Sequence, residues 1–242
     1  MVIIKPKLHS RRQAVGKRDI ERRNRDFALV YSEKNSVLFT HISRTGGMTI
    51  DNCMRRLLPD SRTIVGQHAP LVAARAMLGA RFEQAYKFAF VRNPWDRFVS
   101  WYSLMAAVKH SAKPNCAAPI VHDTEHWHVF DAFLENWCAQ EVQIDGVRRR
   151  QLSQWAQLVD ADGLLLVDDI GRFENYTADA VRLFANAHID AGVLPTLNAS
   201  KHQHYSVYYS AFGRELIEHA FPEDIATFGY QFEAASLDCA CD

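Results

Sequence analysis

Apolar and polar positions along this chain alternate between two kinds of segment. Short runs with few polar residues read as strands, and stretches with apolar residues three and four apart read as helices. Phe27–Ile42 reads as two short strands around the turn-prone Glu33–Asn35, the second being Ser36–Ile42. After Ser43–Thr49 (SRTGGMT), the segment IDNCMRRLL places Ile50, Cys53, Met54 and Leu57 on one helical face. Pro70 suits the first turn of a helix over Leu71–Leu78. Tyr86–Val91 (YKFAFV) is a buried-type strand. Pro94 then opens a helix in which Trp95, Phe98, Val99 and Tyr102 share a face.

Beyond these two strand–loop–helix units the pattern predicts an irregular excursion at His110–His126 and helices over His128–Ala139 and Val147–Leu158. A third core strand is expected at Gly163–Val167, followed by a helix over Thr177–His188. A loop at Ala191–His204 and a helical Tyr205–Phe221 come next, and Phe228–Phe232 ends the domain. Strands alternating with helices predict an α/β fold, a mostly parallel central sheet flanked by helices. Ligands of such sheets bind beyond the C-terminal strand ends, where the loops SRTGGMT and VRNPWDR fall.

Composition adds limits. A chain of 242 residues with 48% hydrophobic and 23% charged residues suits one globular domain with a full core. Its formal net charge of zero gives no general pull toward nucleic acid or membrane. Lys5–Arg25 nevertheless carries nine Lys or Arg against Asp19 and Glu21. The arm, residues 1–26, reads either as a solvated extension or as an attractor of an anionic ligand. A domain over 27–233 and a tail over 234–242 complete the expected division. No secretory leader and no membrane-spanning run is expected. Five cysteines without framework spacing fit a reduced, cytoplasmic setting.

The first loop has the makings of an anion cradle. Gly46 and Gly47 permit backbone conformations that turn successive N–H groups to one anion, and the following helix adds its positive end. Arg44 supplies charge, and Thr45 and Thr49 supply hydroxyls. This is not the nucleotide-triphosphatase pattern, because Met48 stands where that loop needs lysine. In the second loop Arg92 leaves a strand end with a guanidinium suited to phosphate, and Ser100 follows two helical turns on. Arg92 paired with Asp96 as a strand-end cap is the structural alternative.

These ordered motifs resemble the sulfotransferases that use 3′-phosphoadenosine 5′-phosphosulfate (PAPS), closest to the carbohydrate and bacterial branch. The resemblance continues through QHAPL (Gln67–Leu71), DDIGRFEN (Asp168–Asn175), LNASKHQHY (Leu197–Tyr205) and DIATFGYQF (Asp224–Phe232), so it spans Val37 to Phe232. It implies a P-loop-like sulfotransferase fold in which Arg44, Thr45, Gly46, Gly47, Met48 and Thr49 hold the 5′-phosphosulfate. Arg92 and Ser100 would hold the 3′-phosphate, and Ser200 and Lys201 would lie in a loop closing over the donor. His68 would be the catalytic base, with Arg44 beside it neutralising the leaving oxygen. His41 is the rival histidine.

The chain departs from the family loop at Ser43, usually proline, and at Arg44, usually lysine. The implied reaction moves a sulfonate to a hydroxyl of a carbohydrate or small metabolite, with no metal. Two other classes remain in view. One is a small-molecule kinase, opposed by Met48; the other is a non-catalytic nucleotide-binding module, suggested by Arg44 and the basic arm. His122, His126 and His128 lie close in sequence but lack a carboxylate or thiolate set for a metal. The surrounding excursion reads better as a lining of an acceptor pocket.

Overall fold

The computed structural model describes residues 29–66, 69–110, 130–190, 192 and 203–234, with side chains to Met105 in the helix that ends at His110. The basic arm, His68, the His110–His126 excursion with His122, His126 and His128, and all of 193–202 with Ser200 and Lys201 lie outside the described residues. So does nearly all of the 234–242 tail.

Strands β1 (Leu29–Ser32) and β2 (Val37–Thr40) form the expected hairpin, paired antiparallel from Val30–Phe39 to Ser32–Val37. Helix α1 (Gly47–Leu57) follows the glycine loop, with Ile50, Cys53 and Met54 buried. A strand absent from the sequence reading, β3 (Arg62–Val65), pairs antiparallel with β1 at the sheet edge. Helix α2 (Leu71–Leu78) and a short α3 (Ala80–Gln84) lead to β4 (Tyr86–Val91), then α4 (Pro94–His110). Chain order continues with α5 (Phe130–Cys138), the hairpin β5 (Glu141–Ile144) and β6 (Val147–Arg150), and α6 (Gln154–Leu158). Strand β7 (Asp169–Arg172) precedes α7 (Tyr176–Asn186), α8 (Ala211–Ala220) and α9 (Pro222–Phe228).

The central sheet has the order β3-β1-β2-β4-β7. It is parallel only in part: β2–β4 and β4–β7 are parallel, while both pairings of β1 are antiparallel. Because β1 runs against both its neighbours, β3, β2, β4 and β7 share one direction. Their C-terminal ends therefore emerge on a single edge. That edge carries Ser43–Thr49 after β2, Arg92 after β4 and Phe173–Asn175 after β7. Strand β3 also ends on that edge, and Gly66 O accepts from Ala69 N at 3.3 Å.

Alternation along the strands divides the core. Val37 and Phe39 join Phe88 and Phe90 against α1 and α7, whereas Leu29, Tyr31 and Leu38 face α2 and Phe82. Ala89 and Val91 look toward a third cluster built with Trp95, Phe98 and the α5, α8 and α9 helices. Burying each of these large side chains contributes ~1.5–3 kcal/mol. No helix among the described residues is long and apolar enough to cross a membrane.

Two expectations are corrected. The predicted helix Val147–Leu158 begins as a strand, because Asp145 and Gly146 both take positive φ and form the two-residue turn of a hairpin. Helix returns only at Gln154. The third core strand is Asp169–Arg172, not Gly163–Val167. Leu164 and Leu165 are exposed, and the Asp160 carboxylate accepts from the Asp162 and Leu164 N–H groups, folding that run into a turn. The polar-looking DIGR enters the sheet because Gly171 lets it lie against Phe90 and Leu183; a Cβ there would sit 2.6 Å from the Phe90 ring.

Candidate functional site

Thr40, Ile42 and Ser43 leave β2 buried, so the loop starts from a fixed strand end. Two of its residues take left-handed backbone, Arg44 at φ 67° and Gly46 at φ 81°. For Arg44 this costs ~1–2 kcal/mol, since its Cβ crowds the following carbonyl. Gly46 could carry no side chain: its Cβ would lie 2.6 Å from Tyr176 Cε2. A Cβ on Gly47 would overlap the His41 ring, so this histidine packs behind the loop as a structural support. Gly47 begins α1, which gives the loop the partial positive charge of a helix N-terminus.

The Thr45 hydroxyl is buried and donates back to Ile42 O at 2.9 Å, which braces the loop. Thr49 is also buried, and its N–H donates to Gly46 O at 3.1 Å. Met48 is the exposed residue of the loop.

The residues predicted from separate motifs meet. Arg44 Nε and Nη2 both donate to Ser100 Oγ, at 3.1 and 2.7 Å, across 56 positions of sequence. Arg92 Nη1 donates to Arg44 O at 3.2 Å. Arg92 Nε is paired with Asp96 at 2.7 Å, and its guanidinium lies 4.0 Å from the centre of the Phe173 ring. Arg92 thus makes the strand-end pairing with Asp96 and also reaches the Ser43–Thr49 loop. Its backbone is gripped as well: Gln154 Oε1 accepts from Arg92 N at 2.9 Å, and Gln154 Nε2 donates to Arg92 O at 2.8 Å.

Several residues of this frame carried no functional reading in the sequence. Arg97 is buried, with Nε on Ser43 O at 2.8 Å, Nη2 on Ser43 Oγ at 3.1 Å and Nη1 on Leu152 O at 2.6 Å. Burial pulls its pKa down to about 10, leaving it charged at neutral pH. Asp224 caps α6, accepting from Ser153 Oγ and from the Gln154 and Trp155 N–H groups. Burial raises its carboxyl above the usual range despite these bonds. Glu174 accepts from Asn93 N at 2.6 Å and from Tyr230 OH at 3.0 Å. Tyr176 donates to Gly46 O at 2.7 Å, and burial pushes its phenol well up, so it keeps that proton. Arg97 had a visible signal, a charge between Trp95 and Phe98 on a core-facing helix; Gln154 had none.

Three guanidinium groups, Arg44, Arg92 and Arg97, thus crowd one sheet edge next to a helix N-terminus and a strained glycine loop. Guanidinium groups and helix N-termini are the kinds of donor that suit an oxyanion. No cluster of potential metal ligands occurs among the described residues. No curated protein and no solved structure matches the chain. The sequence profile of the sulfotransferase family matches residues 28–231, which takes in the sheet, both anion loops and their supports: the chain belongs to the sulfotransferase family.

Proposed function

We propose that the protein moves a sulfonate group from PAPS to a hydroxyl of a carbohydrate or small metabolite. The observation that carries this reading is the contact of Arg44 with Ser100, which joins the loop assigned to the 5′ side with the helix assigned to the 3′ side. A nucleotide bearing anions at both ends needs two such subsites within reach of each other. The donor set fits that ligand: backbone N–H groups and guanidinium groups, which suit phosphate and sulfonate oxygens.

When bound, the donor supplies the sulfonate and a 3′,5′-bisphosphate leaving group. Ser43–Thr49 would hold its 5′ side, Arg92 and Ser100 its 3′-phosphate, and Ser200 and Lys201 would close over it. Arg44 places a permanent positive charge where charge develops on the departing oxygen. One well-placed donor of this kind is worth ~3–4 kcal/mol by analogy with oxyanion holes. His68 would take the proton of the acceptor hydroxyl as that oxygen attacks sulfur. The strand that leads to His68 ends on the same sheet edge as both anion loops, which supports this role. In-line displacement with little covalent help from the protein makes positioning and charge the main contributions.

The test is a transfer assay with sulfur-labelled donor over a panel of hydroxylated acceptors, beside His68→Ala. The expected result is labelled product, reduced ~10²–10⁴-fold in the variant with nucleotide affinity kept. Unchanged turnover in the variant would remove His68 from the mechanism. Tight nucleotide binding without transfer to any acceptor would favour a binding module, and magnesium-dependent ATP turnover a kinase.

A further inference from the structure

The anion loop is shaped by side chains that lie outside it. In a trans peptide the carbonyl and the next residue's N–H point in opposite directions, so a held carbonyl sets its N–H. Three peptide planes of the loop are held in this way. Arg97 takes Ser43 O and so fixes the Arg44 N–H. Arg92 takes Arg44 O and so fixes the Thr45 N–H. Tyr176 takes Gly46 O, which also accepts from Thr49 N, and the two bonds together fix the Gly47 N–H. The bonds fall on the carbonyls that flank the left-handed residues Arg44 and Gly46, where the chain would otherwise relax.

Arg97 is an expensive way to hold two segments together. A buried guanidinium loses its hydration, and a well-packed apolar side chain of similar volume is often as stabilising. Methionine could fill the space. It could not fork onto Ser43 O and Ser43 Oγ while reaching Leu152 O, as Arg97 does. Ser43, where the family loop resembled above carries proline, gives this fork its second acceptor. Tyr176 has the same character: its ring packs on Phe90, and its hydroxyl reaches the loop.

We propose that Arg97 and Tyr176 are positioning residues that preset the loop's N–H groups for the 5′-side anion of the nucleotide. This rests on the sulfotransferase reading. Neither residue needs to touch the nucleotide. Each acts by stopping one peptide plane from turning.

Calorimetry of the whole chain separates this role from simple support of the fold. Wild type, Arg97→Lys and Tyr176→Phe are titrated with adenosine 3′,5′-bisphosphate and with adenosine 3′-monophosphate, and urea unfolding is followed for each. Each variant is expected to weaken the bisphosphate ~10-fold, the scale of one hydrogen bond in a charged site. The 3′-monophosphate, which makes no demand on the 5′ loop, should stay within about twofold. Equal weakening of both ligands, or of neither, in folded variants would overturn the proposal while wild-type binding keeps the reading beneath it. A wild type that binds neither nucleotide would overturn both. Tyr176→Phe keeps the ring and its packing, so it carries the test if Arg97→Lys does not fold.

Discussion

The loops after β2 and β4 share a sheet edge but differ in backbone strain. Ser43–Thr49 contains two left-handed residues, and the carbonyls beside them are fixed by Arg97, Arg92 and Tyr176, which come from other elements. Arg92–Ser100 contains no left-handed residue and is held both by Gln154 and Glu174 and by bonds of its own. Asn93 Oδ1 accepts from Trp95 N, Arg97 N donates to Asn93 O, and Arg92 pairs with Asp96 one helical turn on. The second loop is thus a frame, and it supplies two of the side chains that shape the first. The division suits a site that must present strained N–H donors without reorganising when charge develops. Damage to the frame should reach both loops, whereas damage to the strained loop should stay local.

The sharpest way to break that asymmetry is Arg92→Ala. It removes both the frame's own ion pair and the support of Arg44 O. Adenosine 3′,5′-bisphosphate should bind on the order of 10²–10³-fold more weakly by calorimetry, as expected for a desolvated charge-assisted contact. Gln154→Ala attacks the frame from behind, leaving the buried Arg92 N–H and C=O without their side-chain partners. Urea unfolding should show a loss of ~2–6 kcal/mol, from about 1–3 kcal/mol for each of the two groups. Ser100→Ala is milder: it frees Arg44 from its hydroxyl and should weaken the bisphosphate ~10-fold with little change in stability.

The smallest effect belongs to a region outside the comparison and serves as its control. Burial alone would raise the Asp169 carboxyl, but Arg182 and Asn186 hold it below the usual carboxylate range. A depressed carboxylate stabilises the fold above its unfolded pKa, and that contribution is lost as pH falls through the folded value. Arg182 is half exposed, so Arg182→Ala should cost only ~0.5 kcal/mol at neutral pH. The gap from wild type in thermal unfolding should close as the pH drops below ~4, while nucleotide affinity stays unchanged.

Legibility in the sequence followed local chemistry. Tyr86–Val91 and Leu71–Leu78 match their predicted bounds, because nearly continuous apolar runs and a leading proline are local signals. The anion loops were visible for the same reason, as glycines and arginines at strand ends. What stayed hidden depends on the third dimension. Arg62–Val65 is an edge strand with exposed and half-buried residues, so no apolar run marked it. Asp169–Arg172 is a strand because a glycine fits against Phe90, while Asp160 folds the more apolar Gly163–Val167 into a turn that exposes Leu164 and Leu165. Gln154 and Tyr176 look like ordinary helix residues until the fold brings them to Arg92 and Gly46. A side chain that acts by holding a distant peptide plane leaves no mark on its own neighbourhood.

Calorimetric titration of the wild-type chain with adenosine 3′,5′-bisphosphate beside ADP tests most directly whether the two loops form one site for a nucleotide with anions at both ends. The 3′-phosphorylated nucleotide should bind far more tightly, by at least ~10-fold, the scale of one charge-assisted contact. Equal affinity for the two, or binding of neither, would contradict it.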